Sequence, residues 1–424
     1  MESGKTVDSP SLTIKTLRVR KIFWTYSTLP FVFLILTSAL SCRKSSKAPE
    51  PDSPSQPIDT LTQNIYTIDT TASPSVGIIL TAPFDSSINT TSPGVTGLLL
   101  IMNQSGKVLQ KLTTPGLAYN LERWIINGKT RYTYAINDPS ALRPPMNLEN
   151  AGYYIVADSN LNTLQKITLT PFQAGLFQPG QALDIHDIVL ISDSDYITLT
   201  YNWEYVTNIP ARLSPAVNGS VISAVIEEVK NGSVTWHWDS SNDTTFYGTS
   251  VEGNNFADPV IAADYVHMNS MYVDPRDNNL ICSMRNQDQI IKINRTTGAI
   301  MWRLGGVNSD FQLSPDQTFL RQHHATLTDN NQTLLMFDNG QVSIRPYSRI
   351  CEFQLDETNK VITSFKFFNI PEPFNDYTGS VQKIGSDYFI GGGMAHYMLD
   401  INYNTGQKVA EYEGTMASYR SLKY

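Results

Sequence analysis

From residue 97 onward the chain repeats one pattern: an apolar strand, a polar turn, then a second strand rich in Val, Ile and aromatic residues. Six copies can be read: GLLLIMNQSGKVLQKL from Gly97, GYYIVADSNLNTLQKI from Gly152, SAVIEEVKNGSVTWHW from Ser223, DQIIKINRTTGAIMWRL from Asp288, SRICEFQLDETNKVITSF from Ser348 and HYMLDINYNTGQKVAEY from His396. Gly106, Gly232, Gly298 and Gly406 stand in the turns, where a residue without Cβ takes a positive φ at no steric cost. Ahead of these hairpins lie others, with turns at Asn127-Gly128, Ser192 to Asp195, Asp277 to Asn279, Asp329 to Asn331 and Gly385 to Asp387. Two hairpins make a four-stranded unit, and copies roughly 50 to 70 residues apart leave room for one unit and its loops. Six units with almost no helical periodicity predict an all-β, six-bladed β-propeller of four-stranded antiparallel blades over residues 63–424. An array of β-sandwiches is the alternative, but it gives no reason for repeating one outer hairpin.

The N-terminal region lacks this pattern. Arg18, Arg20 and Lys21 precede an apolar run from Ile22 to Leu40, and Ala39-Leu40-Ser41 leads directly into Cys42. This layout predicts a lipoprotein-type signal peptide over 1–41, acylation at Cys42, and a Ser/Pro-rich flexible tether over 42–62. The body is then exported to a bacterial cell envelope and lipid-anchored to a membrane, on its periplasmic or surface side. An uncleaved signal anchor is the alternative, since the apolar run is long enough to span a bilayer.

Composition and charge narrow the chemistry. With 31 Lys+Arg against 39 Asp+Glu the net charge is −8, and removing residues 1–41, which carry five basic and two acidic side chains, makes it −11. An acidic body argues against nucleic acid as a partner. Cys282 and Cys351, the only cysteines after Cys42, form a candidate disulfide in an oxidising envelope but no disulfide framework. There is no CxxC and no Gly-rich phosphate loop, so neither a thiolate zinc site nor a nucleotide site is expected.

The six histidines are unevenly placed. His186, His267 and His323 each lie at the end of a first hairpin away from its turn, so three successive blades present an imidazole near the axis. Asn269 is two residues from His267 and shares its strand face, and a turn centred on Arg276 sets Arg285 opposite His267. Folding the next hairpin brings Asp338 and Asn339 near His323, and Tyr201 is expected opposite His186. His324 should point to the other face of its strand, while His237 and His396 read as packed residues of outer hairpins. Three imidazoles also suit a metal ion, but the Arg285 guanidinium repels a cation and favours an oxyanion. The predicted site therefore takes a tetrahedral anion, with no metal and no cofactor.

At these residues the sequence resembles the bacterial arylsulfate sulfotransferase (ASST) family of exported six-bladed propellers. The matching strings are IHDIVLI from Ile185, DYVHMNSMYVDPRDNNLICSMRNQDQIIKI from Asp264, TGAIMWRLGG from Thr297 and QHHATLTDNNQTLLMFDNG from Gln322. The resemblance implies ping-pong transfer of a sulfuryl group from a phenolic sulfate ester to a phenol, without a nucleotide sulfate donor. His323 would be the nucleophile that becomes a sulfohistidine, and His186, His267, Asn269 and Arg285 would hold and polarise the sulfuryl oxygens. Tyr201 and Asn339 are candidate substrate contacts. A non-catalytic propeller lipoprotein that binds a ligand or partner on its face, and a sulfate-ester hydrolase, are the competing readings.

Overall fold

The computed structural model describes residues 65–87, 95–138, 151–170, 181–217 and 219–424. The leader, Cys42 and the tether lie outside the described residues. The strands form six antiparallel sheets arranged as the blades of a propeller. Each repeated hairpin of the sequence supplies the two outer strands of one blade, as Gln289–Ile293 and Ile300–Gly305 do for the fourth. Blades 2 to 6 open on inner strands Ala118–Ile126, Gln181–Leu190, Met268–Val273, His323–Thr328 and Ser380–Ile384.

Blade 1 differs, because its inner strand is the end of the chain. Ala417–Lys423 pairs with Ile78–Phe84, which continues into Gly97–Asn103 and Val108–Thr114. At the other end Thr67–Thr70 adds a fifth strand outside Lys408–Glu413 of blade 6. Both ends of the described chain are thus stitched into sheets. Lys423, fully buried, seals the joint with both oxygens of the equally buried Asp400 at 2.9 Å.

The core lies between neighbouring blades. Ile197, Leu199 and Ile226 of blade 3 interleave with Leu280, Cys282 and Ile291 of blade 4, and Ile281, Ile290 and Leu304 of blade 4 with Leu334, Cys351 and Phe353 of blade 5. Each such side chain contributes about 1.5–3 kcal/mol on burial, which makes every blade depend on its neighbours. The same layering corrects the expected disulfide. Cys282 and Cys351 are free and fully buried, because they belong to successive packing layers. Nor is His237 packed inside: it is exposed on the outermost strand of blade 3, where polar and apolar positions alternate.

Candidate active site

The inner strands do not start as regular ladder. Between Asp184 and Ile188 three residues leave the pairing with Asp195–Tyr205, and the register also shifts after Tyr119, after Met268 and after His323. His267 and His324 adopt positive φ values of 49° and 50° at these irregularities, and Asn120 one of 52°. Bulges re-aim side chains that a flat strand would send to the sheet faces. Here they gather groups from four blades at one end of the axis.

His186 and His267 meet edge to face, with ring centroids 4.9 Å apart. Each imidazole is oriented by a carboxylate on its own strand entry. Asp184 lies 2.5 Å from Nδ1 of His186, and Asp264 lies 2.6 Å from Nδ1 of His267. A carboxylate at Nδ1 fixes the tautomer and the ring orientation and leaves Nε2 for the site. The backbone of His186 is held in turn by Nδ2 of Asn120, which donates to the carbonyls of Ile185 and His186.

His323 has a different partner. Its Nδ1 donates to Oδ1 of Asn339 at 2.7 Å, and the amide of Asn339 is itself fixed by donating to the carbonyls of Asn375 and Thr378. Nε2 is therefore the unprotonated nitrogen, met only by a long 3.3 Å contact from the Thr378 N–H. Burial, reinforced by the Arg285 guanidinium, holds the His323 pKa well below the ordinary histidine value. The imidazole is thus a neutral base with an available lone pair.

Arg285 and Asn269 complete the set. The backbone N–H of Arg285 donates to the carbonyl of His267, the pairing expected from the turn. Its Nη1 donates to Glu252 at 3.0 Å and to Asn286 Oδ1 at 2.7 Å, and its Nη2 is buried without a partner. Asn269 donates through Nδ2 to the carbonyl of Gln322 at 2.8 Å, while its Oδ1 has no partner. Buried polar atoms rarely stay unmatched in a native protein, and the free Nη2 of Arg285, a cationic donor close enough to His323 to lower its pKa, marks a place for an anionic guest.

One expectation of register needs correction. Tyr201 pairs with Ala182 rather than His186, because the bulge shifts the register, although its hydroxyl lies 2.9 Å from His186 Nδ1. It is buried and braces that imidazole. Asn339 has both ends of its amide engaged by protein groups and orients His323. His324 is turned away, as expected, with Nδ1 donating to the Val381 carbonyl at 3.0 Å.

The neutral pair gives a pH prediction. Burial lowers the pKa of His324 to about 3 and that of His323 well below 6.5. The unfolded chain takes up both protons below about pH 6.5, so stability is complete above that value and falls by about 1.4 kcal/mol per pH unit for each histidine as pH drops. Urea unfolding at pH 7 and pH 5 should show a lower midpoint at pH 5, and an unchanged midpoint would contradict the neutral state. Among the described residues no group of three or more His, Cys, Asp or Glu side chains is placed to hold a metal ion.

The sequence profile of arylsulfotransferase (ASST) matches residues 125–424, which include every one of these groups except Asn120. The chain belongs to the arylsulfotransferase family. No curated protein matches the sequence. Among solved structures it is similar to a Bacteroides caccae protein of unknown function, with 12% identity, 83% of this chain and 99% of that chain covered, and a TM-score of 0.44. AztD from Citrobacter koseri has 8% identity, 83% and 99% coverage and a TM-score of 0.37. A putative 6-phosphogluconolactonase from Bacteroides fragilis has 9% identity, 84% and 100% coverage and a TM-score of 0.37.

Within this member of the arylsulfotransferase family the C-terminal strand contributes two residues that no motif in the local sequence marks. The Tyr419 ring packs edge-on against His186 and His323, at 5.5 and 6.4 Å between centroids, and forms the floor of the site. Arg420 reaches across the axis from blade 1. It donates to both oxygens of Asp187 on blade 3, at 3.0 and 3.3 Å, and to the carbonyl of Asn269 on blade 4 at 2.7 Å. Beyond this bridge the axis opens into a cavity of about 440 Å³ bordered by Glu122, Thr326 and Lys383. Burial and repulsion from Asp187 raise the Glu122 pKa to about 8. Their only sequence signal is the run ASYRSLK, which resembles an inner strand but follows the last hairpin with no partner of its own.

Proposed function

We propose that this chain transfers a sulfuryl group from a phenolic sulfate ester to a phenol acceptor through a sulfohistidine at His323. The reading rests on one observation above the others: a buried neutral His323 with Nδ1 tied to Asn339, facing Arg285, whose Nη2 has no partner. In the first half-reaction the Nε2 lone pair attacks sulfur and the bond from sulfur to the aryl oxygen breaks. Its electron pair leaves on the phenolate, which takes a proton from His267. That histidine carries the Asp264 carboxylate and is the most exposed of the three, with 21% of its side chain accessible, so it suits an exchange with departing phenol.

In the second half-reaction an acceptor phenol gives its proton to His267 and its oxygen attacks sulfur. The nitrogen–sulfur bond breaks and Nε2 recovers its lone pair. No net proton, electron or nucleotide is consumed. Arg285 holds the equatorial oxygens through its unpartnered Nη2, the Asn269 amide adds the one N–H it does not give to the Gln322 carbonyl, and His186 is braced beside them by Asp184 and Tyr201. Preorganised donors of this kind usually do more than any other group in an active site to stabilise developing charge.

Replacing Arg285 with Met is expected to lower transfer by about 10²–10³-fold. Release of a chromogenic phenol from its sulfate ester, with and without a second phenol, reads the effect. Release stimulated by acceptor and lost in the variant supports transfer. Acceptor-indifferent release points to hydrolysis, and no release from folded protein favours a binding propeller.

A further inference from the structure

Large exposed apolar side chains collect on the loops that surround the candidate site. Inner strands begin at that end, so the loops there join second to third strands and one blade to the next. Val217, Val260, Ile261, Val307, Val342 and Ile344 all occupy such loops on the histidine-bearing side, each more than 60% exposed. Two of the loops are built to present them. The Asp258 carboxylate accepts from the N–H groups of Val260 and Ile261 at 2.8 and 2.9 Å, which fixes the apolar tip of that loop. Backbone hydrogen bonds between Gln341 and Arg345 close the next tip around Val342 and Ile344. The one cation of this tip, Arg345, is folded inward onto the buried Asp338, which leaves the end of the loop uncharged.

The direction of the N-terminal chain is a second, independent observation. Thr67 pairs with Glu413, at the end of a strand that leads straight into the inner strand starting at Ala417. Tyr66 packs on Gly414 in that connection, where an added Cβ would come within 2.6 Å of its ring. The described chain therefore starts at the same end of the propeller as the candidate site. Cys42 precedes it by 22 intervening residues, and a random-coil chain of that length has an r.m.s. reach of about 25 Å. A seven-residue blade strand is already about 23 Å long. Presenting the opposite face to the anchor point would take up a length comparable to that r.m.s. value, out of an extended limit of about 75 Å, so the segment favours the histidine-bearing face without enforcing it.

We propose that the face bearing the histidines lies against the lipid bilayer to which acylation of Cys42 would anchor the chain, with Val217, Val260, Ile261, Val342 and Ile344 in the interfacial layer. Resting on the function proposed above, its substrates are amphiphilic phenols and phenolic sulfate esters that partition into that layer. The contact is apolar. An acidic body gains nothing from anionic lipid, so binding should depend little on salt.

The test uses the full chain on phosphatidylcholine/phosphatidylethanolamine vesicles containing spin-labelled lipid. An environment-sensitive fluorophore is placed at Val260→Cys, or at Ile191→Cys in an exposed turn at the opposite end, with the chain lacking either substitution as background. The buried Cys282 and Cys351 leave the added thiol as the site of labelling in the body. Quenching at 260 and none at 191 is the expected result. Equal quenching, quenching at neither position, or an emission shift at 260 that follows protein concentration instead of lipid would overturn the proposal, the last by assigning the face to a second copy. In a second arm, the double variant Val260→Glu/Ile344→Glu should lower transfer to a long-chain alkylphenol in vesicles by about tenfold or more and leave transfer to dissolved phenol unchanged. Equal rates with both acceptors in the variant and the parent would overturn the substrate class. Absence of transfer to dissolved phenol in the parent chain would instead sink the proposed function, while the quenching still reports which face meets lipid.

Discussion

Substitution of His323 by Asn is expected to reduce acceptor-dependent sulfuryl transfer by about four orders of magnitude or more, the scale seen when a covalent nucleophile is removed. Asparagine retains a polar side chain in the same bulge but has no basic lone pair, so neither half-reaction has a route. The loss should be in turnover, with the fold intact, because His323 makes its side-chain bonds to Asn339 and to backbone groups and anchors no other element. Removing the support at Asn339 is a milder change. Asn339→Ala leaves the nucleophile in place and frees its tautomer, which costs about 10–100-fold when an orienting partner is lost. Steady-state rates of both variants, measured beside their thermal melts, separate the two roles. A His323→Asn protein that still transfers at more than a few per cent of the parent rate would place the nucleophile elsewhere.

The largest effect on stability should come from the axis. Arg420→Met is expected to lower unfolding free energy by about 3–5 kcal/mol, because it strands a buried carboxylate without its counter-charge. Asp187 and Arg420 are each almost inaccessible, and the guanidinium is shared among three blades. Removing it also takes away the charge that lowers the Glu122 pKa, so Glu122, already raised by burial and by Asp187, is held still more firmly in its neutral form and offers Asp187 no counter-charge. The double variant Asp187→Asn/Arg420→Met removes both charges and should recover much of the loss, since replacing a buried pair together is far cheaper than breaking it. Urea unfolding of the parent, the single variant and the double variant checks the argument. A single-variant loss below about 1 kcal/mol would mean that water screens the pair as it does at a surface.

How far the sequence could be read follows from the range of the signals involved. The outer hairpins were legible because a turn and two alternating strands are encoded within about sixteen residues, and Gly106, Gly232, Gly298 and Gly406 do take positive φ in the structure. The pairing of His267 with Arg285 was legible for the same reason, as one short turn sets it. Contacts made across the ring had no local signature. Tyr419 and Arg420 reach the site only because the last strand closes blade 1, and nothing near residue 420 announces a partner near residue 79.

Bulges were the second blind spot. Regular alternation placed Tyr201 opposite His186, whereas three residues leave the ladder between Asp184 and Ile188 and move that partner to Ala182. The same irregularity is what brings Asp184 onto His186 and sends Asp187 to Arg420, so the departure from the local rule serves the site. Hairpin folding brings Asp338 near His323, but its carboxylate is taken up by Arg345 and Arg349, and Asn339 alone of the two meets the imidazole.

The central claim is a covalent intermediate on one histidine. Mixing the chain with an aryl sulfate in the absence of acceptor, quenching rapidly under alkaline conditions and mapping peptides by mass spectrometry tests it directly. The expected result is one sulfuryl adduct on His323 that forms with the burst of phenol and disappears when acceptor phenol is added. Phenol release at full rate with no adduct on His323, or an adduct that acceptor does not discharge, would contradict the account.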